Sequence, residues 1–200
     1  MLPCLRSQPL TGGNLRITGG DARGRSVEAP EGLEVRPTGA KVRQALFNIL
    51  GSRVPGARFL DLCAGSGLMG LEALSRGAKS LIAVEENRKM SRIIEGNVKH
   101  LGYQAEVITA DVRKVIPILE ERCFDIVFAD PPYKSQLAST VVSMIGKHQL
   151  LSGAGVLMVE HDRALAMPDA TDSLVLVDRR VYGQTAISFY GYDGNEIDNE

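Results

Sequence analysis

From Arg58 onward, short apolar runs closed by glycine or by an acidic residue alternate with longer stretches whose apolar positions recur at helical spacing. That alternation restricts the chain more than any other feature, because strands separated by helices are joined by crossovers and lie parallel in one sheet. The spacing predicts strands over 58–62, 80–85, 105–109, 125–129, 155–160, 174–182 and 185–190. Helical patterns lie between the early ones, carried by Leu68, Leu71 and Leu74 and by Ile93, Ile94, Val98 and Leu101. Only Gly183-Gln184 separates the last two strands, which is a hairpin connection, so the sheet should end in an antiparallel pair. Pro117 should shorten or kink the helix that follows Asp111.

Two hundred residues with 44% hydrophobic and 24% charged content fit one globular domain. The first six residues lack the apolar stretch of a signal peptide, and no window approaches the roughly 18 apolar residues of a membrane span. A cytoplasmic protein is expected. Cys4, Cys63 and Cys123 form no Cys-x-x-Cys pair, and His100, His148 and His161 have no helical i, i+4 pairing, so no metal is expected.

Residues 15–57 precede the core domain, which runs over 58–192. They read as a hairpin, Leu15-Arg16-Ile17 against Arg25-Ser26-Val27 around Gly19-Gly20-Asp21, and then a helix capped by Thr38. That helix should bury Val42, Leu46, Ile49 and Leu50 and carry Lys41 and Arg43 on its other face. Residues 1–58 hold nine Lys and Arg against four Asp and Glu, so a polyanion would first be sought there. Residues 1–14 and the acidic tail 193–200 are expected to be disordered.

Phe59-Leu60-Asp61-Leu62 runs into Cys63-Ala64-Gly65-Ser66-Gly67-Leu68-Met69-Gly70, a G-x-G-x-x-G loop that opens a helix. Glycine lets a cofactor approach the backbone and lets the turn adopt positive φ. Cys63, Ala64, Gly65 and Gly67 are therefore the loop residues expected against a cofactor. Glu85, at the end of the next strand, could accept hydrogen bonds from the hydroxyls of a ribose. Asp111, at the end of the third strand, could accept from an adenine amino group. A dinucleotide would use the same loop, but Asp61 stands where such sites carry an apolar residue, and its carboxylate suits an ammonium. S-adenosylmethionine has that ammonium and no pyrophosphate.

The fourth strand ends in Asp130-Pro131-Pro132-Tyr133. Two prolines fix φ and remove two N–H donors, leaving a stiff loop with its carbonyls available. The Asp130 carboxylate and the Pro131 carbonyl could hold the two N–H groups of a planar amino group, with its nitrogen lone pair aimed at a methyl donor. Tyr133 offers a face on which an extruded base can stack. Guanine, adenine and glutamine all present such an amino group. Glutamine methylation usually goes with Asn in place of the first Asp, and no long insertion after Tyr133 favours a DNA adenine-N6 enzyme. A nicotinamide-dependent oxidoreductase is the rival from another class.

The chain resembles the bacterial 16S ribosomal RNA guanine-N2 methyltransferases of the RsmD type from about Leu15 to Tyr190. Arg16-Ile17-Thr18-Gly19-Gly20 with Arg23-Gly24-Arg25, and Arg36-Pro37-Thr38 with Val42 to Asn48, carry the specific part of the likeness. The resemblance implies a class I methyltransferase fold, Rossmann-like, with strand order 3-2-1-4-5-7-6 and a small N-terminal extension. It implies S-adenosylmethionine held by Asp61, Gly65, Gly67, Glu85 and Asp111, and transfer by Asp130 to Tyr133 to a ribosomal guanine of the position-966 type. It further implies RNA contacts from Arg16, Arg23, Arg25, Arg36 and Arg43, with ribosomal RNA or the small subunit as partner. A monomer is expected.

Overall fold

The structure is a computed structural model that describes residues 15–29, 37–120, 122–132, 136–171 and 173–195. Seven strands form one sheet: β3 (Arg58–Leu62), β4 (Ser80–Glu85), β5 (Glu106–Thr109), β6 (Phe124–Ala129), β7 (Leu151–Asp162), β8 (Val175–Tyr182) and β9 (Thr185–Gly191). Their order is β5-β4-β3-β6-β7-β9-β8. The first five are parallel, while β9 runs antiparallel to β7 and to β8. Counted from the first core strand this is the expected order, with the closing hairpin turning at Gly183-Gln184.

Side chains alternate between the two faces along each strand, and both faces of the inner strands are buried. Phe59, Ile126, Phe128 and Met158 pack under α1 (Pro37–Leu50), α2 (Leu68–Ser75) and α3 (Arg88–Leu101). Leu60, Leu62, Val127 and Leu157 pack under α4 (Val112–Val115) and α5 (Leu137–Lys147). Pro117 sits in the 3-10 turn Ile116–Leu119 that cuts α4 short, as its missing N–H requires. Asn87 caps α3 by accepting from Lys89 N and Met90 N, and Gly102 ends it at φ 80°.

Three expectations need correction. β7 begins at Leu151 rather than Gly155, because the turn-like Ser152-Gly153-Ala154-Gly155 is a register shift inside the strand: Phe124 pairs with Leu151 and Ile126 with Val156. A Cβ at Gly155 would meet the Phe124 carbonyl at 2.9 Å. Helix α1 starts at Pro37, so Thr38 lies in its first turn and not at its cap. Arg43 is on the buried face of α1 with 7% of its surface exposed, whereas Lys41 faces solvent.

The N-terminal hairpin pairs β1 (Leu15–Arg16) with β2 (Ser26–Val27), and Ile17 N to Arg25 O at 3.1 Å continues it. Helix α2 runs back from the carboxyl edge of the sheet, and the hairpin turn docks at its far end. Asp21 N donates to Ser75 O at 2.9 Å, and Ala22 N to Ser75 Oγ at 3.0 Å. Gly20 has φ 79°, and a Cβ there would lie 1.7 Å from Ser75 O, so only glycine fits. Of the tail, residues 193–195 are described, and Asn195 Nδ2 donates to Gly153 O at 3.0 Å. Residues 1–14 and 196–200 lie outside the described part.

Candidate active site

Strand β3 delivers the chain to a loop whose shape needs three left-handed residues in five, Cys63 at φ 59°, Gly65 at 56° and Gly67 at 74°. Two carboxylates hold that loop. Glu85 Oε2 accepts from Gly65 N at 2.8 Å and its Oε1 from Asn87 N at 2.8 Å. Asp61 Oδ2 accepts from Gly70 N, in the first turn of α2, at 3.0 Å. Gly70 is close-packed as well, since a Cβ there would meet Leu81 at 2.5 Å.

At the carboxyl edge of the parallel strands lies a cavity of about 670 Å³. Its walls include Cys63, Glu85, Asp111, Asp130, Pro131 and Pro132, so one space collects residues predicted from four separate strand ends. Asp61 is not among them: it is fully buried beneath the glycine loop. Gly65 and Gly67 shape the loop from which Cys63 reaches the cavity. Tyr133 lies outside the described residues.

The cavity also uses Val112 and Arg113, next to Asp111, and Gln136, Leu137 and Thr140 from the start of α5. Their signal was position alone, immediately after a strand-end acid or after the proline loop.

Carboxylates dominate the electrostatics. Burial pushes the Asp61 carboxyl up to about 8, against the Gly70 N–H, with the Asp130 and Glu85 charges adding to the rise. Burial followed by the same acidic surroundings pushes the Cys63 thiol up to about 12, which makes it a poor nucleophile. Asp111 is pulled down to about 2 by the Arg113 side chain, then by the Arg113 backbone N–H as Asp111 caps α4.

Asp130 is open to the cavity on one side and crowded by protein on the others. That crowding, with Glu160 second, pushes its carboxyl up to about 8. Water on its open side limits the rise, so its direction is what bears on the chemistry. Such a cavity favours a ligand that carries positive charge. Among the described residues no cluster of His, Cys, Asp or Glu could hold a metal ion, and no helix is long and apolar enough to cross a membrane.

The family model of Conserved hypothetical protein 95 matches residues 15–191. The chain belongs to this family, the RsmD family. YlbH of Bacillus subtilis strain 168, provisionally named an rRNA methyltransferase, is 36% identical over 180 residues, covering 88% of this chain and 98% of that protein. Ribosomal RNA small subunit methyltransferase D of Escherichia coli strain K12 is 32% identical over 179 residues, covering 89% and 90%. The solved structure of yhhF from Escherichia coli, provisionally a methyltransferase, superposes with a TM-score of 0.79 at 31% identity over 93% of this chain and all of that one. The RsmD family chain thus shares a class I methyltransferase fold with its relatives.

The arginines expected at RNA are dispersed. The Arg43 Nε donates to the buried Glu72 at 3.3 Å and its Nη2 to Arg16 O at 2.8 Å, so its guanidinium joins the hairpin to α1 and α2. Arg25 donates to His100 O at 2.6 Å and to Leu101 O at 3.1 Å, closing the C-terminus of α3. Arg16 is exposed and donates to Gly24 O at 2.8 Å; Arg23 is exposed on the hairpin turn. Arg36 lies outside the described residues. The sequence reading missed Glu72, although an acid inside Leu71-Glu72-Ala73-Leu74 was a signal that it points inward.

Proposed function

We propose that this protein transfers a methyl group from S-adenosylmethionine to the exocyclic N2 of a guanine in 16S ribosomal RNA, at the position-966 type of site. The observation that carries the reading is the single acidic cavity in which Glu85 and Asp111 face the Asp130-Pro131-Pro132 loop. The family membership reported above supports ribosomal RNA as the acceptor.

The cavity residues fit the cofactor. Glu85 uses one lone pair of each oxygen on a backbone N–H, which leaves acceptor capacity for two hydroxyls. Asp111 stands at the third strand end as an acceptor for the adenine amino group, and Asp61, protonated by burial in the free protein, gives up its proton to set negative charge beneath the loop when an ammonium binds. When bound, the cofactor supplies an electrophilic methyl on a sulfonium, which departs as a neutral thioether with the C–S electron pair.

Asp130 and the Pro131 carbonyl hold the two N–H groups of the guanine amino group and aim its lone pair at that methyl. The Asp130 carboxylate also stabilises the positive charge that grows on nitrogen as the new C–N bond forms, and it or water takes the released proton. The raised Asp130 pKa suits a proton acceptor that works near neutral pH. The exposed arginines Arg16, Arg23 and Arg25 remain part of the proposed RNA surface, on the side of the molecule that carries the hairpin.

Unmodified small ribosomal subunits incubated with the protein and S-adenosylmethionine should acquire one N2-methylguanosine, mapped by mass spectrometry. Asp130→Ala should abolish transfer while cofactor affinity, measured by calorimetry, stays within a few-fold. Full activity in that variant, or binding of NAD in place of S-adenosylmethionine, would overturn the reading.

A further inference from the structure

A second acid stands beside Asp130. Parallel pairing of β6 with β7 sets Ala129 against Val159, so Asp130 and Glu160 follow as neighbours at the carboxyl ends of adjacent strands. By alternation both belong to the face that carries Phe128 and Met158. The Asp130 carboxyl feels the Glu160 charge. Glu160 is half-buried at the end of the apolar run Val156-Leu157-Met158-Val159.

Two carboxylates so placed oppose each other's ionisation. A ligand edge made of several N–H donors relieves that repulsion. Guanine has such an edge, because its N1–H adjoins the two N–H groups of the 2-amino group. Adenine flanks its amino group with a ring nitrogen that accepts, and a glutamine amide has no third donor. Adjacent strands lie about 4.8 Å apart, a gap that two carboxylate side chains can close onto neighbouring donors of one base.

Building on the proposed role of Asp130, we infer that Glu160 accepts the N1–H of the target guanine and thereby selects guanine over adenine. The Asp130-Pro131 loop recognises the amino group that reacts, and Glu160 recognises the ring that bears it. A carboxylate has about four acceptor sites, so Glu160 can serve the base and a protein partner together.

The test uses small subunits reconstituted with ribosomal RNA that carries guanine or 1-methylguanine at the nucleotide mapped as methylated. Wild type should lose roughly 10- to 100-fold in kcat/KM on 1-methylguanine, the range for a hydrogen bond to a charged group. Glu160→Ala should lose a comparable factor on guanine and no longer distinguish the two bases. Glu160→Gln keeps an acceptor oxygen and nearly the same shape, and should restore part of the loss. Cofactor affinity should stay within two-fold in both variants, a readout that a merely structural loss would not spare. If Glu160→Ala still prefers guanine over 1-methylguanine as wild type does, Glu160 is not the reader of N1–H. If wild type makes no N2-methylguanosine, the guanine reading and this inference fall together.

Discussion

Replacing Glu72 with alanine should cost the folded state about 3–5 kcal/mol, the range for breaking a buried ion pair from one side. Glu72 has no exposed surface. Its carboxylate accepts from Thr18 N at 2.8 Å, Thr18 Oγ1 at 2.6 Å, Arg76 Nε at 2.9 Å and Arg43 Nε at 3.3 Å. One side chain therefore ties the N-terminal hairpin and α1 to α2. Truncation would leave the Arg43 guanidinium, whose side chain is only 8% exposed, without its counter-charge.

The stranded Thr18 N–H would add about 1–3 kcal/mol if it found no water, but these losses share one carboxylate and do not sum. Arg76, 19% exposed and stacked on Phe47 at 4.9 Å, can turn toward solvent and soften the loss. Against a total stability of about 5–15 kcal/mol, the variant is close to unfolding. At about 2–4 °C per kcal/mol for a chain of this size, Tm should fall by roughly 6–20 °C. Urea unfolding followed by circular dichroism measures the change, with Glu72→Gln as the control of equal shape. A loss under about 1 kcal/mol would refute the claim that this carboxylate is the joint. Arg43→Met should likewise lose stability while leaving the salt dependence of RNA binding unchanged; a flatter salt slope would return Arg43 to the RNA surface.

Gly20→Ala should undock the hairpin turn, since left-handed backbone alone costs about 1–3 kcal/mol and the Ser75 carbonyl occupies the site of the new methyl. Wild-type stability in urea would contradict that packing. The raised Asp61 pKa means that the folded protein binds more protons than the unfolded chain between 3.8 and about 8. That contribution is complete at low pH and lost as pH rises through about 8. Ligand-free protein should therefore lose stability as pH rises from about 5 to about 8 and level off above that, and a slope unchanged in Asp61→Asn would count against the assignment. His161 gives the opposite sign. Its Nδ1 lies 2.8 Å from Asp162 O and its Nε2 2.8 Å from Ser188 Oγ, and burial lowers its pKa from 6.5, which favours the neutral ring. Its contribution is present above that value and lost as pH falls below it; thermal melts at pH 7 and pH 5 should show a smaller difference in His161→Gln.

Fold was legible where local pattern and tertiary role agree. Strands buried on both faces need continuous apolar runs, and Leu81 to Val84 or Ile126 to Ala129 can satisfy that need in few other ways. Legibility failed where one residue type serves two ends. Ser152-Gly153-Ala154-Gly155 has turn composition, but its glycine is required by close strand contact. Arg43 falls one residue from the apolar stripe of α1, and helical spacing cannot show that Glu72 waits behind it. The charge of the hairpin arginines is visible in sequence, whereas the carbonyls at the end of α3 that engage Arg25 are not.

The glycine loop shows how the choice of ligand follows from the same geometry. A G-x-G-x-x-G turn at a helix N-terminus binds pyrophosphate when its N–H groups and the helix dipole point into the site. Here Gly65 N is held by Glu85 and Gly70 N by Asp61, so two of the donors that an anion would need already face carboxylates. A phosphate brought to this loop would have to displace them, and would meet Asp130 and Asp111 as well. A cation meets the reverse situation, because each of those acids lowers its energy. Methyl transfer would remove the sulfonium charge from a cofactor bound beside these acids, so they would hold the spent thioether less. The residues that give the loop its shape thus favour loading before the reaction and release after it. Calorimetry should show S-adenosylmethionine bound more tightly than S-adenosylhomocysteine, with the gap narrowed in Glu85→Gln; an equal or tighter grip on the thioether would sink this account of turnover.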